Sequence, residues 1–309
     1  MNLPTLRALA LTAALAAALP ARAQPTAAEA PPPEPTRLFG WRVGGLFDVD
    51  LPRFDPPGTF RLQFNPRVSD LVRRSYLRVP TGVRWTVNDR VELHAEAEAF
   101  ATHGLDDDTS AGYGIGELRF GARRLIEHWP RPDFASSVGV NVELPVGDPP
   151  RDLTDGRNHI GPYLVTEHRL ARHPKWTVFG GVSADLVSAS SVPLNLGRNA
   201  TKDDSIALNA GATYDLGQVK WTLQTTYATT AIAGIDEHFL TVRPSVLWWV
   251  PRRYTLNSDT QWIVGIGLRA AWGPDGREFS TGSRVRAELT FGQAVQRMRD
   301  TWRRGTAPR

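Results

Sequence analysis

The stretch SRVRAELTF, residues 283–291, shows the pattern that decides the fold of this chain, because apolar and polar side chains alternate along it. Successive side chains of a β-strand point to opposite faces, so the stretch predicts a strand with one apolar and one charged face. The apolar face would carry Val285, Ala287, Leu289 and Phe291, and the other face Arg284, Arg286, Glu288 and Thr290. Repeated along a chain, this pattern is typical of a transmembrane β-barrel.

The same alternation recurs in about twelve segments and predicts an all-β protein. The segments are 39–49, 76–87, 90–101, 113–125, 134–146, 159–169, 175–187, 205–215, 218–229, 237–249, 261–272 and 283–292. Residues 60–64, FRLQF, alternate as well and could add a strand or lie inside a lumen. A soluble β-sandwich would also alternate, so alternation alone does not separate the two folds.

The connections between these segments separate the two folds better, because short ones alternate with long ones. The short connections are 87–90, 125–133, 170–174, 215–218 and 250–259, and the long ones are 50–75, 102–112, 147–158, 188–204, 230–237 and 273–282. Outer-membrane barrels have short turns on the periplasmic side and longer loops outside. The sequence therefore predicts a transmembrane antiparallel up-and-down β-barrel of about twelve strands.

Tryptophan positions give an independent indication of a membrane. Six tryptophans lie beside short connections, namely Trp85, Trp176, Trp221, Trp248, Trp249 and Trp262. A membrane-interface girdle gathers aromatic residues at one rim of a barrel, whereas a sandwich would place them in mid-strand, in its core. We predict that these six residues form such a girdle.

The N-terminus predicts export. Residues 1–23 have the basic, apolar and small-residue regions of a cleaved signal peptide, ending in Ala21, Arg22 and Ala23. Residues 24–37 are rich in proline and alanine and predict a disordered lead-in. The barrel is expected over 38–292, followed by a basic tail over 293–309. The expected location is the outer membrane of a Gram-negative-type cell.

Composition excludes several kinds of function. The chain has no cysteine, which excludes disulfides and thiolate metal sites. Its net charge of +4 is small, and export makes nucleic acid an implausible partner. No Gly-x-Ser-x-Gly motif and no metal-ligand spacing of histidines are present, so we predict no catalytic residues, no metal and no cofactor.

The charged face of the strands supplies the candidate functional residues. The candidate lumen-lining residues are Glu92, His94, Glu96, Glu98, Glu117, Arg119, Arg123, Arg269 and Arg286. Arginine and glutamate on adjacent strands can form a structural zipper or a selectivity lining. An excess of arginine over acid along an open lumen would favour anions.

The stretches GELRFGAR, residues 116–123, and ELPVGD, residues 143–148, resemble motifs of the outer-membrane family named for the meta-pathway of phenol degradation. The resemblance covers about the central half of the chain. It implies a transporter-like barrel that admits small, often hydrophobic, compounds, and it brings no catalytic residues. The basic tail after Phe291 departs from barrels that end in an aromatic residue.

These features together predict a channel for a small solute, hydrophobic ones included. The alternatives are an outer-membrane lipid hydrolase that uses His94 as its base, or a non-conducting barrel that binds a partner. The expected partners are outer-membrane lipid, the solute and the barrel-insertion machinery. Acidic side chains of the long loops suggest lipopolysaccharide as a further partner, bridged by divalent ions.

Overall fold

The computed structural model describes residues 49–55, 57–64, 66, 75–105, 112–147, 153–190, 203–254, 261–274 and 276–290. In that part of the chain, twelve antiparallel strands form one closed up-and-down barrel, in which each strand pairs with its neighbours in sequence and β1 pairs with β12. The strands are β1 (Phe60–Phe64), β2 (Tyr76–Asn88), β3 (Val91–Thr102), β4 (Tyr113–Glu127), β5 (Phe134–Pro145), β6 (Arg157–Arg169), β7 (Trp176–Ala189), β8 (Ser205–Asp215), β9 (Val219–Thr229), β10 (His238–Val250), β11 (Gln261–Gly273) and β12 (Gly276–Thr290). The predicted fold class is confirmed.

The distribution of side chains is inverted relative to that of a soluble protein. On β9, Leu223 is 48% exposed, while its neighbours Thr222 and Gln224 are 4% and 2% exposed. The apolar phase of the alternation thus points outward and the polar phase points into the barrel. An apolar exterior around a polar interior is the arrangement of a barrel that faces lipid. Among the described residues, no helix is long and apolar enough to cross a membrane.

The first strand differs from the expectation. Most of the predicted strand 39–49 lies outside the described residues, and its last residue, Val49, is not in a strand. The short strand β1 closes the barrel instead, with Leu62 paired to Leu289 of β12 and to Val83 of β2. Residues 49–55 precede β1 and are not part of any strand of the barrel wall.

Short and long connections mostly alternate along the barrel, but residues 251–260, between β10 and β11, form a longer connection than residues 230–237, between β9 and β10. We call the end with the β2–β3, β4–β5, β6–β7, β8–β9 and β10–β11 connections the turn end, and the opposite end the loop end. At the loop end, a long connection was expected over 273–282, but only residues 274–275 join β11 to β12. The prediction was wrong because residues 276–282 continue β12 and pair with residues 267–273 of β11, from Gly276 opposite Gly273 to Gly282 opposite Gly267.

A β-bulge in β4 sets the phase of the charged side chains. Glu98 pairs with Glu117, but the next residue, Ala99, pairs with Ile115, so Gly116 is the extra residue. A bulge lets one strand insert a residue without disturbing its partner. Glu117 therefore points into the lumen beside Glu98, while Ile115 remains on the outward face and is 47% exposed.

Candidate functional site

The lumen contains a cavity of about 430 Å³. Its polar lining comes from Asp50, Gln63, Arg84, His94, Glu96, Arg119, Asn141, Glu143, His159, Tyr163, Ser183, Asp185 and Asn209. Towards the turn end it is bounded by the segment 49–55, which supplies Val49 and Asp50 to the lining. Towards the loop end, Tyr76, Phe100 and Leu153 form a buried apolar cluster.

The segment 49–55 lies inside the barrel and is held on one side by apolar contacts. Val49 and Leu51 are 6% and 3% exposed. They belong to one buried cluster with inward-facing residues of four strands, Val165, Phe179, Leu247 and Ile263. Burial of a valine or leucine side chain stabilises by about 1.5–3 kcal/mol. The apolar alternate positions of this segment therefore anchor it across the lumen.

The other side of the segment is held by charged side chains, which we call the Glu92 cluster: Asp50, Arg84, Glu92 and Arg123. Arg84 contacts Asp50 at 2.8 Å and Glu92 at 3.1 Å. Arg123 contacts the same Glu92 oxygen at 2.8 Å. Two guanidinium groups thus face two carboxylates, and the cluster is electrically balanced.

Arg123 also binds the backbone of the segment directly. Its Nη1 donates a hydrogen bond to the carbonyl oxygen of Leu51 at 2.7 Å, and its Nη2 donates one to that of Arg53 at 3.2 Å. Its guanidinium lies 4.7 Å from the centre of the Phe54 ring. Beyond it, Arg53 forms an ion pair with Glu167 of β6, and Asp55 with Arg61 of β1. Arg123 is therefore the residue that ties the segment most directly to the barrel wall.

A second charged group lies on β3, β4 and β5, and we call it the Arg119 cluster: Glu96, Glu98, Glu117, Arg119 and Glu143. Arg119 contacts Glu96 at 3.5 Å, Glu98 at 3.4 Å and Glu143 at 3.6 Å, and it also contacts Glu117. Arg119 therefore contacts all four carboxylates of this cluster. Glu98 and Glu117 face each other across the strands, an arrangement of like charges that is unfavourable without a cation between them.

At the loop end, His159 joins β6 to β7 and to the loop before β6. Its Nδ1 lies 2.9 Å from Asp185, and its Nε2 lies 2.9 Å from Asp155. Ionised carboxylates only accept hydrogen bonds, so the arrangement requires an imidazolium with both nitrogens protonated. Burial alone would raise the pKa of Asp155, but the hydrogen bonds from His159 and from the Arg157 amide outweigh it and hold this pKa below its usual value.

Two glycines make room for large side chains on the cavity wall. A side chain at Gly121 would overlap the ring of His94 and the amide of Asn141, and one at Gly139 would overlap the ring of Tyr163. The side chains of His94, Asn141 and Tyr163 therefore occupy the space that a side chain at these two positions would take. The Nδ1 atom of His94 has no hydrogen-bond partner among the described residues, so no carboxylate orients it there as in a general base.

The structure divides the predicted lumen-lining residues among three environments. His94, Glu96 and Arg119 line the cavity. Glu92, Glu98, Glu117 and Arg123 are buried in the two charged clusters. Arg269 is half-buried on β11, and the side chain of Arg286 lies outside the described part of the chain. The sequence missed Asp50 and the segment 49–55 as part of the lumen, because Val49 ended a predicted strand and residues 50–55 fell in the long connection predicted over 50–75.

Five of the six predicted girdle residues belong to the outward phase near the turn end. Trp85, Trp176, Trp221 and Trp248 are 37%, 42%, 54% and 37% exposed, and Trp262 is half-buried. Trp249 differs, because it packs against the internal cluster around Leu51. The signal for this was present: residues 246–250, VLWWV, are apolar on both faces. Neighbouring residues of one strand cannot both face lipid.

Among the described residues, no group of three or more histidines and acidic side chains is placed to hold a metal ion. Among the described residues, the cavity lining contains four carboxylates, Asp50, Glu96, Glu143 and Asp185, and two guanidinium groups, Arg84 and Arg119.

Comparisons with known proteins identify the fold. No family model matches the chain, and no curated protein matches it. Among solved structures, an outer membrane channel from Pseudomonas putida F1 superposes with a TM-score of 0.50 at 14% identity, over 79% of this chain and 100% of that one. The outer membrane channel DcaP of Acinetobacter baumannii gives a TM-score of 0.30 at 13% identity, over 69% of this chain and 62% of that channel. The barrel is thus a fold that an outer membrane channel also has.

Proposed function

We propose that this protein is an outer-membrane channel that lets a small solute pass through its lumen. The observation that carries the proposal is the polar cavity of about 430 Å³ inside a closed ring of strands. A buried cavity with charged walls is costly unless water or solute fills it. The likeness to the channel from Pseudomonas putida F1 supports the same function.

The lining favours polar solutes. Charged and amide side chains form most of the cavity wall, and they would lose hydration to an apolar guest. The resemblance to the family of the meta-pathway of phenol degradation instead implies hydrophobic compounds. From the lining, we expect polar solutes to pass through the lumen faster than hydrophobic ones.

The orientation in the membrane is part of the proposal. We place the turn end in the periplasm, with the outward tryptophans at that interface and the loop end outside, next to lipopolysaccharide. The segment 49–55 then enters the lumen from the periplasmic side. Export by the signal peptide over 1–23 and membrane assembly by the insertion machinery complete this proposal.

The position of His94 bears on the enzymatic alternative. His94 lines the cavity within the barrel, whereas a lipid hydrolase needs its base beside lipid, at the outer surface or rim. A channel is therefore the function that the geometry favours.

Reconstitution into lipid bilayers tests the proposal. The purified chain, without its predicted signal peptide, should give discrete current steps in planar bilayers. In liposome-swelling assays, entry should be faster for a pentose than for a disaccharide. Liposomes that received heat-denatured protein are the control. Absence of both current and swelling, in protein whose β-structure is verified by circular dichroism, would contradict the channel.

A further inference from the structure

The cavity wall has an open hollow at Gly161, on the inward face of β6. Gly121 and Gly139, on β4 and β5, are covered by large side chains of neighbouring strands. A Cβ added at Gly161 would instead lie 3.5 Å from the carbonyl oxygen of Ala184 and 3.9 Å from that of Asn141, which are ordinary contact distances. Gly161 lines the cavity, so the space that its missing side chain leaves is continuous with the lumen.

The floor of this hollow is made of backbone. The pairing of β6 with β7 is interrupted at Gly161 and Pro162, and proline has no N–H to donate to the neighbouring strand. Ala184 of β7 lines the cavity, although Val182 and Leu186 on either side of it are 40% and 44% exposed on the outward phase. Ala184 therefore reaches the cavity through its backbone, and its carbonyl oxygen is a hydrogen-bond acceptor at the floor of the hollow.

Three polar side chains that line the cavity surround the hollow. Asn141 lies directly opposite Gly161 on β5, and Tyr163 follows Gly161 on the same face of β6, about 7 Å along the strand. Asp185 lies on β7 between the residues that pair with His159 and Tyr163. The Oδ1 atom of Asn141 and the hydroxyl of Tyr163 are buried and have no hydrogen-bond partner among the described residues. Each such atom costs about 1–3 kcal/mol, a cost that a hydroxyl group in the hollow would relieve once the side chain turns towards it.

The carboxylate of Asp185 can accept further hydrogen bonds. It lies 2.9 Å from Nδ1 of His159, and an ionised carboxylate has about four lone-pair positions, so this contact leaves acceptor capacity. A charged guest would lose its hydration in the cavity, whereas a neutral hydroxyl group costs less to bury and both donates and accepts hydrogen bonds. The hollow thus matches a neutral guest with several hydroxyl groups.

We infer that the hollow at Gly161 is a subsite that binds a small neutral solute carrying several hydroxyl groups, a monosaccharide or a polyol. The carbonyl oxygen of Ala184 and the carboxylate of Asp185 accept hydrogen bonds from the solute, and the Asn141 amide and the Tyr163 hydroxyl complete the site. The missing side chain at Gly161 provides the space. As a subsite for transport, the hollow rests on the proposed function.

Saturation-transfer NMR on the folded protein in detergent micelles tests the binding, with D-xylose as the probe. D-Xylose should receive saturation, whereas ethylene glycol dimethyl ether, which has no O–H donor, should not. Gly161→Val fills the hollow and should weaken D-xylose binding at least about tenfold, as expected for the loss of a hydrogen bond to a carboxylate. Gly161→Ala should weaken it less.

Gly180→Val is the matched control for these variants. Gly180 lies on the outward phase of β7, and a Cβ there would lie 3.6 Å from the carbonyl oxygen of Asn209, much as a Cβ at Gly161 would lie from that of Ala184. Gly180→Val should leave D-xylose binding unchanged. Heat-modifiable electrophoretic mobility shows whether each variant has folded, and Gly161→Ala carries the test if Gly161→Val does not fold.

Planar bilayers separate the subsite from the channel. D-Xylose should reduce the open-channel current in a saturable manner, and Gly161→Val should raise the half-saturating concentration by the same factor as in the NMR measurement. Current without binding of D-xylose overturns the subsite alone, and binding without any current overturns the channel alone. Binding that the folded Gly161 variants leave unchanged, or that Gly180→Val weakens equally, overturns the assignment to this hollow.

Discussion

The two opposite walls of the lumen hold the same segment by different means. On β2–β4, the wall that faces Asp50 is charged, and it binds the segment through Arg84 and Arg123. On β10 and β11, the wall in contact with Leu51 is apolar, through Leu247 and Ile263. The interior of a membrane barrel is therefore not uniformly polar: it is apolar where a segment of the chain covers it.

The segment itself matches this division. Its alternation places Val49 and Leu51 towards the apolar wall and Asp50 towards the charged wall. Each wall holds one face of the segment. Apolar burial keeps the segment inside the lumen but is non-directional, so the ion pairs with the charged wall fix its position. Weakening either wall should therefore open the lumen, and we expect the larger effect at the charged wall.

Replacement of Arg123 should give the largest increase in the fraction of open channels. Arg123→Gln eliminates two charge-assisted hydrogen bonds to the segment, each worth about 1.5–3 kcal/mol. A loss of about 1.4 kcal/mol changes a population tenfold, so the fraction of open channels should rise at least about tenfold. Single-channel recordings measure this fraction and the conductance of each open level.

Arg124→Gln is the matched control for this variant, because Arg124 is the next residue of β4 and lies on the opposite phase of the strand. It should leave the conductance unchanged. Glu92 keeps its contact with Arg84 at 3.1 Å in Arg123→Gln, so the variant leaves no carboxylate of this cluster without a cation. An unchanged open fraction in folded Arg123→Gln would show that the segment does not limit passage.

The charged wall could be predicted from the sequence, and the apolar wall could not. Glu92, Glu96, Arg119 and Arg123 occupy the polar phase of regular strands, so alternation alone predicts that they point inward. Leu247 and Ile263 occupy the same inward phase, but in strands an apolar residue ordinarily indicates the lipid face. Only the position of Leu51 in the lumen explains them, and that position depends on contacts between distant parts of the chain.

The two adjacent tryptophans of β10 give the second prediction, of intermediate size. Trp249→Ala removes a ring that packs against the internal cluster, and should raise the open fraction severalfold by loosening the segment. Trp248→Ala removes a ring that is 37% exposed on the outward phase, and should leave the conductance unchanged while lowering the thermal stability in lipid. Equal effects of the two variants on conductance would contradict the assignment of the two faces.

The smallest effect on conductance is expected at Asp155, which lies in the loop before β6 and belongs to neither wall. Its pKa is held below the usual value of about 3.8, since hydrogen bonds from His159 and the Arg157 amide outweigh the effect of burial. A depressed pKa stabilises the folded loop at pH values above the ordinary pKa, and this contribution is lost as the pH falls through the folded value. Conductance should therefore not respond to this group near neutral pH.

Carbon-13 NMR titration of labelled aspartate should give a midpoint for Asp155 below 3.8, and His159→Phe should raise that midpoint. His238→Phe, which removes a similar histidine beside the exposed Asp236, should leave it unchanged. A midpoint that His159→Phe does not move would show that the histidine does not hold this loop to the barrel.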